Sequence, residues 1–212
     1  MDEFELLKKQ WQSAEHEFPK LSYNDIYQML LRKSSSIVKW IFFISIAELI
    51  FWTTIMFLIP DSYKEITTEM GIGGLMFYTN ILHYCIFAGF IFFFYKNYRS
   101  IQVTDSTKEL MHNILKTRKT VRYFVYYNIG MFILSSIVVS TIYYVHSNQL
   151  YEVMGFASKG VPRENFATIF IITQIAVGVV FLGLLMLFYW LIYGILLKRL
   201  KNNYKELKKI EK

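Results

Sequence analysis

Cysteine and proline are nearly missing from this sequence: one Cys and three Pro occur in 212 residues. The lone Cys85 excludes a disulfide within the chain and any cysteine-based metal site built from one copy. Pro19, Pro60 and Pro162 interrupt none of the apolar runs, so nothing obliges a helix there to break. Histidine is scarce as well. His16, His83, His112 and His146 are spread over segments that cannot all converge on one ion. There is no HExxH or paired-Asp motif, no Walker loop, no Gly-x-Ser-x-Gly elbow and no dinucleotide fingerprint. Residues 1–36 lack the short apolar core and cleavage site of a removable leader. The expectation is a chain that is not an enzyme, with no catalytic residue, no cofactor and no metal.

What is present in excess is apolar. Hydrophobic residues make up 54% of the chain and aromatics 18%, with 19 Phe and 16 Tyr, more than a soluble domain of this size hides from water. They gather into four runs bounded by charge, Ile37–Pro60, Gly73–Tyr95, Tyr123–Val145 and Phe166–Leu197. Each is long enough for a helix rising about 1.5 Å per residue to cross a hydrocarbon core of roughly 30 Å. The fold class expected is therefore all-α, an integral membrane protein of four transmembrane helices. Trp40, Trp52, Tyr63, Tyr95, Tyr98, Tyr123, Tyr143, Tyr144, Trp190 and Tyr193 lie near run ends, where amphipathic rings meet headgroups.

Charge placement sets the orientation. Of 23 Lys and Arg, only Lys64, Lys159 and Arg163 fall in the connections after the first and third runs. The rest lie before the first run or at its very start (Lys39), between the second and third, and after the fourth. Cytoplasmic segments retain positive charge, so both termini and the middle connection are expected in the cytoplasm. The chain then divides into an N-terminal helical segment (1–36), a transmembrane domain (37–197) with a cytoplasmic helical loop (96–122), and a basic tail (198–212). The net charge of +7 is concentrated beside the spans, which suits anionic lipid headgroups and not direct nucleic-acid binding.

Helical patterns continue into the cytoplasmic segments. Phe4, Leu7 and Trp11 form an apolar stripe on a short helix that should end before Pro19, and are the candidate partner-binding residues. Ser22 is placed to cap a helix with Asp25 three positions on, and Ser106 another with Glu109. Leu200, Tyr204, Leu207 and Ile210 carry a stripe onward from the fourth run. These extensions either hold a protein partner or pack on one another, since both arrangements have the same periodicity. Asp61–Ile72 reads as a short connection and Ser147–Asn165 as an irregular one.

Inside the spans, polar groups are few and costly. Glu48 lies near the middle of the first run, where a lone carboxylate is expected to face the bundle interior. Asn80 and His83 share a face of the second, and Gln174 opens the fourth. Counted from the outer ends of the runs, Glu48, His83 and Gln174 fall within roughly 6 Å of one level, so Glu48 is expected to contact His83 or Gln174. That cluster is read either as interhelical hydrogen bonding or as a proton-sensitive site.

The segments Leu6-Leu7-Lys8-Lys9-Gln10-Trp11, Ile26-Tyr27-Gln28-Met29-Leu30 and Lys33-Ser34-Ser35-Ser36-Ile37-Val38-Lys39-Trp40, with the run Lys116-Thr117-Arg118-Lys119-Thr120-Val121-Arg122-Tyr123, resemble a family of small flavobacterial membrane proteins commonly encoded beside an extracytoplasmic-function sigma factor. The resemblance implies a bacterial inner-membrane location and an anti-sigma-like regulator with a cytoplasmic protein, such as a sigma factor, as partner. Some members carry a carotenoid-oxygenase label, which would require four histidines around iron; the histidine distribution here does not supply them. The zinc-binding His/Cys motif of many anti-sigma domains is also missing. Two other roles fit the same sequence: a non-catalytic accessory subunit of a membrane complex, and a small proton-coupled transporter or channel using Glu48 and His83.

Overall fold

The computed structural model describes residues 4–5, 22–59, 66–158 and 160–211, and among them all regular structure is helical. Helix α1, Tyr23–Phe57, begins where the Ser22 hydroxyl accepts from the Asp25 amide at 3.2 Å and the Asp25 carboxylate accepts from the Ser22 amide at 3.0 Å. This is the reciprocal cap that the spacing predicts. The Ser22 hydroxyl, donating to Asp25 Oδ2 at 2.7 Å, and the Ser22 amide together hold the Asp25 carboxyl below its ordinary value, because hydrogen bonds to a carboxylate favour its charged form. The helix runs unbroken through Ser34–Ser36, where Ser34 is fully buried and accepts from Asn203 Nδ2 at 3.0 Å.

Helix α2, Gly73–Gln102, follows a turn in which Gly71 takes φ +69°, a conformation open to a residue without Cβ. Helix α3, Thr107–Val145, is capped by Ser106, which accepts from the Glu109 amide at 3.2 Å; the return bond from Glu109 is not formed. A short helix α4, Ser147–Val153, occupies part of the connection expected to be irregular. Helix α5, Phe166–Tyr189, passes through a π turn, Trp190–Gly194, into α6, Ile195–Ile210.

The helices close a ring. α1 packs on α2 and α6, and α3 packs on α2, α5 and α6. Four helical stretches are long and apolar enough to cross a membrane: α1, α2, α3 and the continuous run from α5 through α6. The starts at Gly73 and Phe166 and the end at Val145 coincide with those read from the sequence. At the opposite end all four pass well beyond the apolar limits, α1 and α3 reaching roughly 50 and 60 Å at the helical rise. Their continuation is held by a buried seam of Leu30, Ile101, Leu110, Ile114, Leu200 and Leu207. The stripe Leu200–Leu207 is thereby spent on the protein's own helices. A second cluster, Met70, Ile72, Tyr143, Leu150, Tyr151 and Phe166, closes the other end.

Between the two ends the outward faces are apolar and bare. Ile50, Phe77, Ile172 and Val180 are each about 60% exposed or more, along helices with no charge to break the surface. Water tolerates no apolar patch of that extent, whereas hydrocarbon requires one. Trp40, Tyr95, Tyr123, Tyr144 and Trp190 are exposed near the limits of this zone, as interfacial rings would be. Tyr143 and Tyr193 are not; both are buried.

Candidate functional site

Glu48 sits on α1 with only 5% of its surface accessible. Two phenols reach it, one from the last residue of α5 and one from within the π turn. Tyr189 donates to Oε1 at 2.5 Å and Tyr193 donates to Oε2 at 3.1 Å. The Trp52 indole, one turn along α1, faces the same carboxyl group. Tyr189 and Tyr193 are four residues apart, on one face of a helix, and the extra residue in the local turn lets both hydroxyls converge on one side chain. Both oxygens of the carboxyl group thus have a donor, and among the described residues no cation is paired with it.

The walls of this site are aromatic. The Phe124 ring on α3 packs edge-on against Phe87 and Phe94 of α2 at centroid separations of 5.1 and 5.3 Å, and against Tyr193 at 5.8 Å. Phe87, Phe94, Phe124 and Tyr193 are all at most 1% exposed. Tilted and edge-to-face rings pair favourably beyond their contact area.

The other polar residues expected in this cluster go elsewhere. His83 Nδ1 is hydrogen-bonded to the Tyr127 hydroxyl at 3.1 Å, with the two rings stacked at 5.7 Å. Asn80 is exposed and has no hydrogen-bond partner among the described residues. Gln174 Oε1 is buried and unpartnered. The expected meeting of Glu48 with His83 or Gln174 is therefore not the one formed. Its failure has a geometric cause. Trp52 meets Phe181 at a centroid distance of 6.1 Å, so in antiparallel register Ile59 stands level with about Gln174, and Phe166 lies about three turns beyond the end of α1. Depths counted from the ends of apolar runs assumed level ends, and the ends are not level.

Tyr193 was missed because an aromatic near a run end reads as an interfacial anchor, and Tyr189 because it is one ring among many in an apolar run. The available signal was their spacing of four, facing a span with a single carboxylate. Of the candidate partner-binding residues, Phe4 is helical and 78% exposed; Leu7 and Trp11 lie outside the described residues.

A second polar network ties the charged end together. Asn97 Nδ2 donates to Thr120 Oγ1 at 3.1 Å, Asn113 Nδ2 donates to Thr104 Oγ1 at 3.0 Å, and the Tyr27 hydroxyl donates to the Thr104 carbonyl at 2.8 Å. Tyr23 and Thr107 join hydroxyl to hydroxyl. Burial, with Asp105 and Glu109 nearby, raises the Tyr27 pKa above its ordinary value. These bonds pin the α2–α3 turn to the start of α1 beside an open cleft of about 450 Å³, bordered by Tyr23, Asp105, Lys108 and Glu211. Among the described residues no three of His, Cys, Asp and Glu come together as metal ligands do.

A family model described as a domain of unknown function, DUF8845, matches residues 24–212. No curated protein and no solved structure matches the chain.

Proposed function

As the chain belongs to the DUF8845 family, we propose that it is a multi-pass regulator of a bacterial inner membrane, with both termini and the α2–α3 connection in the cytoplasm, and that it holds a cytoplasmic protein in the manner of an anti-sigma factor. The observation that carries this reading is the charged end of the bundle. There four helices leave the apolar zone together, share a complete core, and are pinned by Asn113, Thr104 and Tyr27. A module with its own core offers its surface to others, and basic residues concentrated at that end favour its placement inside the cell.

The partner, a sigma factor being the one that the resemblance implies, is assigned to the N-terminal stripe of Phe4, Leu7 and Trp11. Asp2, Glu3, Glu5, Glu15 and Glu17 outnumber Lys8 and Lys9 there, so anionic lipid would repel the segment and a protein surface suits it better. Purification from native membranes should bring the partner along. Trp11→Ala should weaken its binding by roughly thirtyfold, the cost of truncating a buried aromatic anchor, while insertion is unchanged. Unaltered binding after Trp11→Ala and Leu7→Ala together rejects the docking role.

The buried Glu48 favours one further reading, a proton-responsive site inside the membrane. On that reading Glu48→Gln abolishes a pH response of the membrane domain and leaves folding intact. Proton flux measured in proteoliposomes separates a transporter, which conducts, from a regulator, which does not.

A further inference from the structure

On the outside of the Glu48 site, α3 and the π turn stand apart and leave a groove of about 240 Å³, bordered by Arg122, Tyr126, Tyr189, Trp190, Tyr193 and Gly194. We infer that this groove binds an anionic phospholipid, with its phosphate at Arg122 and one acyl chain laid along Tyr189 and Trp190. The inference rests on α3 and α5 spanning a bilayer.

The groove is apolar along its length and charged at one end, which is the polarity of a phospholipid. Arg122 is exposed and no described residue pairs with it. It immediately precedes the apolar run that begins at Tyr123, the depth at which headgroup phosphates lie. Arg118 follows one turn lower on the same helix, with its Nε buried and unpartnered, so a second cation backs the first. The volume falls below the roughly 300–1,000 Å³ of pockets for compact small molecules and suits a single hydrocarbon chain. Gly194 keeps the channel open: a Cβ there would touch nothing closer than the Trp190 ring at 3.6 Å, so a larger side chain can be built without a backbone clash and would fill the space. The inner wall is made of the two tyrosines whose hydroxyls hold Glu48. A bound chain therefore restrains those rings and links lipid composition to the buried carboxyl group.

The test uses the full chain with Trp190 as its only tryptophan, Trp11, Trp40 and Trp52 being replaced by Phe, in phosphatidylcholine nanodiscs doped with lipid brominated on the acyl chain. Trp190 is 69% exposed and reports the contents of the groove. Half-maximal quenching should need about fivefold less brominated phosphatidylglycerol than brominated phosphatidylcholine, the preference given by one cation near an anionic headgroup. Arg122→Gln should bring the two lipids to parity and Arg122→Lys should keep most of the preference. Gly194→Leu should reduce quenching by both, and millimolar inorganic phosphate should not compete, since it has no chain to occupy the groove. Equal midpoints in the parent, or a preference that survives both Arg122→Gln and Gly194→Leu, overturn the site while leaving the spans in place. A companion chain with Trp40 alone distinguishes the remaining cases. Quenching of Trp40 without quenching of Trp190 means that a second copy covers the groove, which overturns the inference; no quenching of either means that the helices do not lie in the bilayer.

Discussion

A carboxylate inside a membrane has two ways to be tolerated, a cation beside it or hydrogen-bond donors around it. Glu48 is given the second, and the donors are phenols that cannot hydrogen-bond to lipid if the carboxyl group is taken away. Replacing Glu48 with Leu leaves two buried hydroxyls unpaired, at about 1–3 kcal/mol each in general, whereas Gln keeps an acceptor for one and a donor for the other. Thermal unfolding in nanodiscs should therefore rank parent and Glu48→Gln together, Tyr189→Phe below them and Glu48→Leu lowest, by about 3 kcal/mol. Equal stability of Glu48→Leu and the parent would show that the triad holds nothing together. That Glu48 faces inward was legible from its isolation in an apolar run. Its partners were not, because a sequence gives position along a helix but neither the rotation of that helix nor the relative height of its neighbours.

The helices themselves were more readable, and the reason is local chemistry. Ser22 and Ser106 each precede a run with the right acid three positions on, and caps are short-range devices that tertiary packing rarely overrides. Ser106→Ala should cost α3 about 1 kcal/mol, seen as faster amide exchange at Thr107–Leu110 in the first turn; unchanged exchange would assign the start of α3 to packing instead. Asp25 adds a pH dependence. Its carboxyl lies below the ordinary value of 3.8 when folded, so its stabilisation is present above that value and is lost as pH falls through the lowered one. The stability gap between parent and Asp25→Asn should accordingly be constant near neutrality and close below about pH 4. The π turn and α4 were hidden for opposite reasons. A π turn has no sequence signature apart from the contacts it satisfies, and α4 is too short for periodicity, its place being fixed by the burial of Leu150 and Tyr151 against Phe166. For the charged-end extensions the sequence left self-packing and partner binding equal, and burial decides for α6: Leu200 and Leu207 are inaccessible. Leu207→Ala should destabilise that end by about 2–4 kcal/mol and expose the α2–α3 turn to protease, with the apolar zone unaffected.

At the scale of the molecule, the two ends differ in what holds them. The end with α4 is closed by a small aromatic cluster and few charges, while the other carries a leucine seam under a basic surface. Between them hydrocarbon offers no hydrophobic drive for helix association, so ring packing around Phe124 and the bonds of Glu48, His83 and Asn97 must do that work. A bundle of this build has one natural orientation, because moving the basic end across a membrane would carry the Lys and Arg of α6 and of the α2–α3 connection with it. In a chain with Cys85 replaced by Ala, single cysteines at Ser158, beside α4, and at Ser106 and Asn203, at the basic end, separate the two faces. All three residues lie outside the apolar zone, and Ser158 and Ser106 are exposed while Asn203 is partly so, so reaction of each after the membrane is opened separates side from burial. An impermeant maleimide applied to intact spheroplasts should modify the cysteine at 158 and spare those at 106 and 203, and all three should react once the membrane is opened. Labelling at 106 or 203 before opening would invert the orientation proposed above and remove the ground for the proposed regulatory role. Labelling at 158 alone leaves the basic end facing the cytoplasm, the side on which the proposed partner of the N-terminal stripe would be found.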